Sequence, residues 1–247
     1  MIVGLSVSLA KKKVMIMSDI AASLTQIQSD IARAQESASA AAAHVNLVAV
    51  SKQQPDEKIE AACAAGHRLF GENRVQEAAS HWHDRRLHMP DLQLHLIGPL
   101  QSNKAAEAVA LFDVIETIDR EKIAKAVAAE CQKQGKEVTC FVQVNTGKEP
   151  QKAGIMPEEA VAFVLHCQQV IGLSVTGLMC IPPVTEEAAM HFALLKKLGK
   201  EAGLPHLSMG MSGDFEEAIA FGADYVRVGS EMCIRDSDYT CLTCNFI

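Results

Sequence analysis

Apolar positions follow two alternating rhythms along this chain. Between residue 18 and about 43, Ile20, Leu24, Ile27 and Ile31 recur at helical spacing and lead into an alanine-rich tract of strong helix propensity. One amphipathic helix is predicted there, ahead of the sheet, with Ser18 placed to cap its start. From residue 47 a repeat begins: a short β-branched or apolar run, a polar turn, a stretch of helical period, a glycine, and the next run. The runs fall at 47–51, 68–70, 92–97, 114–118, 138–144, 173–178, 206–209 and 225–228. Gly66, Gly135, Gly172, Gly203 and Gly222 stand at the predicted helix ends, where a left-handed cap is favoured. Strands alternating with helices through short connections predict a parallel sheet, and eight such units close into a single (β/α)8 TIM barrel. An open doubly wound sheet is the competing architecture, but no G-x-G-x-x-G follows the first run.

Composition narrows the function. The 247 residues are 49% hydrophobic and 21% charged, ordinary for a globular protein and about the length of one barrel. A net charge of -7 argues against binding a phosphate backbone, which needs a basic face, so no nucleic-acid partner is expected. The 8 cysteines stand mostly singly inside apolar runs, as small buried hydrophobes do in a reducing compartment. Only Cys241 and Cys244 form a C-x-x-C, with no second pair or nearby histidine, so no metal is assigned. The first residues are mildly apolar and precede Lys11, Lys12 and Lys13, the reverse of a secretory signal. No run approaches the roughly 18 apolar residues that span a bilayer. A cytoplasmic protein with no membrane association is the expectation. Residues 1–17 read as an N-terminal extension, because Met17-Ser18-Asp19 resembles a natural start.

In a barrel the chemistry gathers at the carboxyl ends of the strands. The first run ends Val50-Ser51-Lys52, putting a lysine where an apolar strand opens onto that face. A partly desolvated amine is a good nucleophile for an aldehyde, although a lysine here by itself reads more simply as one snorkelling into solvent. The second and third runs lead into Gly71-Glu72-Asn73-Arg74 and Gly98-Pro99-Leu100-Gln101-Ser102-Asn103-Lys104, which suit either ligand contacts or ordinary capping turns. Ser208-Met209-Gly210-Met211-Ser212-Gly213-Asp214 follows the seventh run, and Arg227-Val228-Gly229-Ser230 closes the eighth. Glycines and hydroxyls after strands seven and eight supply the N–H groups of a barrel phosphate site, with Ser212 equally suited to cap the next helix. Arg227 adds a permanent cation for a phosphate oxygen or a ring nitrogen. A nucleophilic lysine opposite a phosphate cup describes a site for a phosphorylated aldehyde, and pyridoxal 5′-phosphate (PLP) fits both ends.

Taken together, Val50-Ser51-Lys52, Phe70-Gly71-Glu72-Asn73, the string from His95 to Lys104, Leu207-Ser208-Met209-Gly210-Met211-Ser212 and Val226-Arg227-Val228-Gly229 resemble the pyridoxal phosphate homeostasis protein family. The resemblance covers residues 18–230 and implies the alanine-racemase-type barrel of PLP fold type III without a second domain. It implies that Lys52 carries the cofactor as a Schiff base, that Arg227 faces the ring nitrogen, and that Ser208, Gly229 and Ser230 hold the phosphate. Asn73 and His95, which lie in the matched strings, join the implied cofactor set. An arginine against the ring nitrogen leaves it unprotonated and makes the cofactor a weak electron sink, so little or no catalysis is expected. The implied function is intracellular PLP homeostasis: buffering the cofactor and delivering it to PLP-dependent apoenzymes, by a monomer or weak dimer. The alternative is a fold-type-III enzyme such as an amino-acid racemase. After Ser230 the resemblance stops, and residues 231–247 read as a foreign, poorly ordered tail that leaves the helix over strands eight and one in doubt.

Overall fold

The computed structural model describes residues 2–38 and 44–229, with side chains from residue 14 onward. After helix α1 (Ile2–Ser37), eight strands alternate with seven helices: β1 (Asn46–Val50), α2 (Asp56–Ala64), β2 (Leu69–Glu72), α3 (Val75–His88), β3 (Gln93–Leu96), α4 (Ala105–Leu111), β4 (Val114–Ile118), α5 (Glu121–Gln134), β5 (Thr139–Val144), α6 (Pro157–His166), β6 (Val175–Cys180), α7 (Ala188–Glu201), β7 (His206–Met211), α8 (Phe215–Ala220) and β8 (Tyr225–Val228). All neighbours are parallel, and β1 pairs with β8 from Asn46↔Tyr225 to Ala49↔Val228, closing the barrel. The five glycines expected at helix ends all have positive φ, between 61° and 94°. The sixth strand starts later than its apolar run, because a π-helical turn at Cys167–Ile171 runs into Gly172 and delays it.

Helix α1 does not begin at Ser18; it starts at Ile2, and Ser18 lies inside it rather than capping it. Its apolar stripe behaves as the spacing predicts, since Ile20, Leu24, Ile27 and Ile31 are all buried. The helix lies between α8 and α2, the ring position over strands eight and one. That place is therefore filled from the amino-terminal end of the barrel. Ser230, the segment 231–247 and the C-x-x-C lie outside the described residues. No described helix is long and apolar enough to cross a membrane.

Strand alternation sorts the side chains. Leu47, Ala49, Phe70, Leu94 and Leu96 join the core between sheet and helices, so the alternate positions Val48, Val50, Gly71 and His95 face the lumen. Contacts across the lumen agree: the His95 ring on β3 lies 5.3 Å from Tyr225 on β8, which meets Phe141 on β5 at 5.6 Å. Gly71 belongs at its position because a Cβ there would come within 2.8 Å of Val48 Cγ1 and 3.0 Å of Ile97 Cδ1.

Candidate functional site

Lys52 stands two residues past the end of β1, beyond Ser51, and continuing the alternation that turns Val48 and Val50 inward carries it to the lumen side at the mouth. It is half-buried and makes no hydrogen bond or ion pair among the described residues. Other lysines near this face are occupied: Lys104 with Glu107 at 2.9 Å, Lys148 with Glu158, and Lys152 with Glu149 at 2.7 Å. Behind Lys52, the Ser51 hydroxyl donates to the buried Glu72 Oε1 at 2.7 Å, and Trp82 Nε1 donates to the same oxygen at 2.9 Å. His81 Nδ1 lies 3.1 Å from it, so α3 and the end of β1 are tied to one carboxyl group.

The lumen below holds a polar chain of four side chains. Glu116, in the middle of β4 and fully buried, accepts from His95 Nδ1 at 2.6 Å and from the Ser208 hydroxyl at 2.5 Å. Arg227 Nη1 donates to the Ser208 oxygen at 2.6 Å, and Nη2 donates to the Cys180 carbonyl at 2.8 Å. Burial pushes the Glu116 carboxyl up, but the His95 hydrogen bond and charge, the Arg227 cation and the Ser208 hydroxyl outweigh it and hold the group below its ordinary value. Burial raises the Cys180 thiol to about 12, so this cysteine is inert.

The seven residues singled out in the sequence fall into distinct places. Lys52 stands alone at the mouth, while His95, Ser208 and Arg227 join one network around Glu116, which sequence reasoning missed. The signal was there: a glutamate between Ile115 and Ile118 in an apolar strand must find a partner inside the barrel. Asn73 follows β2, half-buried, with no side-chain hydrogen bond among the described residues. Its backbone is pressed against Gly98, where any Cβ would collide with it. Gly229 packs so closely on β1 that an added Cβ would sit 3.0 Å from Val50 Cβ, and its N–H points to the Ser212 oxygen at 3.5 Å. Ser212 thus turns toward the end of β8, and the residue at the start of α8 is Asp214. Among the described residues no group of three His, Cys, Asp or Glu is placed to hold a metal.

Comparison with known proteins places this geometry. Residues 22–234 match the family model for the alanine racemase N-terminal domain. The pyridoxal phosphate homeostasis protein of Pseudomonas aeruginosa is 39% identical over 223 residues, 87% of this chain and 95% of the relative. The chain belongs to the pyridoxal phosphate homeostasis protein family. The Vibrio cholerae member is 36% identical over 91% of this chain and 99% of its own length. Among solved structures, PipY of Synechococcus elongatus with PLP bound superposes with a TM-score of 0.73 at 35% identity, covering 86% of this chain and 99% of that one. The alanine racemase of Clostridium difficile shares the fold, with a TM-score of 0.66 at 14% identity, and this chain spans 56% of its length.

Proposed function

We propose that this family member holds PLP at the barrel mouth, on Lys52, and serves its homeostasis by buffering and handing on the cofactor rather than by running a dedicated amino-acid reaction. The carrying observation is Lys52 itself, a lumen-side amine with no partner among the described residues, on a face where Lys104, Lys148 and Lys152 are paired with carboxylates. PLP would supply an aldehyde, the group for which an unpaired lysine amine such as that of Lys52 is the fitting nucleophile. The relatives covered almost end to end are homeostasis proteins, and PipY is solved with PLP bound.

The residues present fit such a group. Arg227 spends one N–H on Ser208 and one on the Cys180 carbonyl, which leaves further donors for a ring nitrogen. Being always protonated, it cannot give that nitrogen a proton, which disfavours strong carbanion chemistry. Ser208 already gives its only hydroxyl proton to Glu116 and receives from Arg227, so it serves the arginine. The phosphate falls to Gly229, the Ser212 hydroxyl turned toward it, and Ser230, the next residue along the chain. Asn73 borders the mouth with its amide unspent, and His95 acts from below through Glu116. We take the working unit to be the barrel of residues 18–230, since Ile20 is the first fully buried side chain among those described from residue 14 onward.

The test is an absorption spectrum after mixing with PLP, followed by borohydride reduction and peptide mapping. A near-visible band and a label on Lys52, without racemisation of alanine, is the expected result. A label on another lysine, or rapid racemisation, contradicts it. Transfer is checked by adding an apo-enzyme that needs PLP: its activity should recover faster from the loaded chain when the two mix than when a dialysis membrane separates them.

A further inference from the structure

The cofactor contacts do not account for a fully buried glutamate at the centre of the lumen. Among the described residues Glu116 is the counter-charge paired with Arg227, with Oε2 3.9 Å from Nη1. Ser208 bridges the two, and its geometry has a direction: accepting from the guanidinium, it must donate its one hydrogen to Glu116. His95 from β3 holds the other carboxylate oxygen, so the carboxyl plane is fixed at both ends. The Cys180 carbonyl then fixes the far edge of the guanidinium. The ionisable groups around the carboxylate are His95 on β3 with Tyr225 and Arg227 on β8; burial raises the Tyr225 hydroxyl, and Glu116 and Asp224 raise it further. Such an arrangement is weak evidence for stability, because replacing a buried ion pair by apolar groups is often neutral or stabilising. It does fix direction and charge.

We propose that Glu116 is a positioning residue: acting through Ser208 and steadied by His95, it aims the Arg227 guanidinium and offsets its charge beneath the cofactor. The inference rests on the reading that PLP is held on Lys52 above Arg227. Glu116→Gln removes the negative charge with little change of shape. The field at the mouth becomes more positive, which disfavours a protonated, cationic Lys52–cofactor linkage. The pH at which the near-visible band gives way to shorter-wavelength absorption should fall by about one unit, the order expected on removing one unit charge from a partly buried site. Ser208→Ala keeps both charges but cuts the bridge. It should weaken PLP binding about tenfold, with a smaller change in that midpoint.

The experiment is a pH titration of the absorption spectrum, with PLP affinity by fluorescence quenching, on the wild-type chain, Glu116→Gln, Glu116→Asp and Ser208→Ala. A lowered midpoint in Glu116→Gln that Glu116→Asp restores supports the role. An unchanged midpoint and affinity in a folded Glu116→Gln protein overturns it. Should Glu116→Gln fail to fold, Ser208→Ala decides: weaker binding supports the role and unchanged affinity overturns it. A wild-type chain that shows no band with PLP and no label on Lys52 overturns the cofactor reading and this inference with it.

Discussion

Glu72→Gln is the sharpest test of how the helix layer supports the mouth. Glu72 is fully buried, and its Oε1 receives Ser51, His81 and Trp82, while Oε2 has no partner among the described residues. An amide keeps the shape but changes two things. Its oxygen accepts at most two good hydrogen bonds; Ser51 has the Gly71 carbonyl at 3.4 Å as a second acceptor, so Trp82 and His81 keep the amide oxygen. These bonds lose the benefit of a carboxylate acceptor, about 0.5–1.5 kcal/mol each. The new amide N–H groups then sit where Oε2 finds nothing, and a stranded buried donor costs about 1–3 kcal/mol. A loss of about 3 kcal/mol is a sensible centre, and for a chain of this size it lowers Tm by about 6–12 °C. Trp82 is the only tryptophan, so its fluorescence follows both the unfolding and the local change. A Glu72→Gln protein that melts within about 2 °C of wild type would show that the carboxyl group does not hold α3 to the mouth.

Other expectations follow from the same geometry. Lys52→Ala should leave a folded chain that shows no near-visible band with PLP; a band that survives, with borohydride labelling at Lys104, Lys148 or Lys152, would refute the assignment. Burial raises Cys180 to about 12 and Cys167 to about 11, so both should resist iodoacetamide at pH 8 in the native state, and rapid alkylation found by peptide mapping would contradict their burial. Because the Glu116 carboxyl is held below its ordinary value, the stability it contributes is complete above the usual carboxylate range and is lost as the pH falls through it. Urea unfolding between about pH 5 and 3 should therefore fall less steeply in Glu116→Gln than in wild type, and equal slopes would show that the carboxylate adds nothing there.

The fold was legible because a barrel strand announces itself twice, by an apolar run and by the glycine before it. Gly66, Gly135, Gly172, Gly203 and Gly222 marked helix ends whose left-handed backbone the structure shows. Boundaries were less clear: nothing in 173–174 distinguishes a late strand start, which depends on a π-helical turn one residue wider than the expected helix. Helix α1 begins ahead of Ser18 because most of the residues just before it, Leu9, Ala10, Lys11, Lys12, Lys13, Met15 and Met17, are good helix formers, and a serine inside such a run does not end it. The site split along the same line. Lys52 could be placed from strand parity alone, a local property. Glu116 and Ser208 meet across the lumen from β4 and β7, 92 residues apart in the chain, and no local pattern carries that distance. The resemblance implies a phosphate role for Ser208; its hydroxyl meets Glu116 of β4 and Arg227 of β8.

The place of α1 between α8 and α2 gives the chain an awkward order of manufacture. The first barrel helix to leave the ribosome must wait for nearly the last, because its stripe of Ile20, Leu24, Ile27 and Ile31 has one flank made at once and the other only when Phe215–Ala220 emerges. The same delay applies to the sheet, whose β1 edge stays open until Tyr225 arrives to pair with Asn46. At a synthesis rate of about 5–20 residues per second, the nascent chain carries an open strand edge and a half-covered helix for some ten seconds or more. An exposed strand edge is a template for pairing with other chains. The strand at risk during that interval is the one that leads into Lys52.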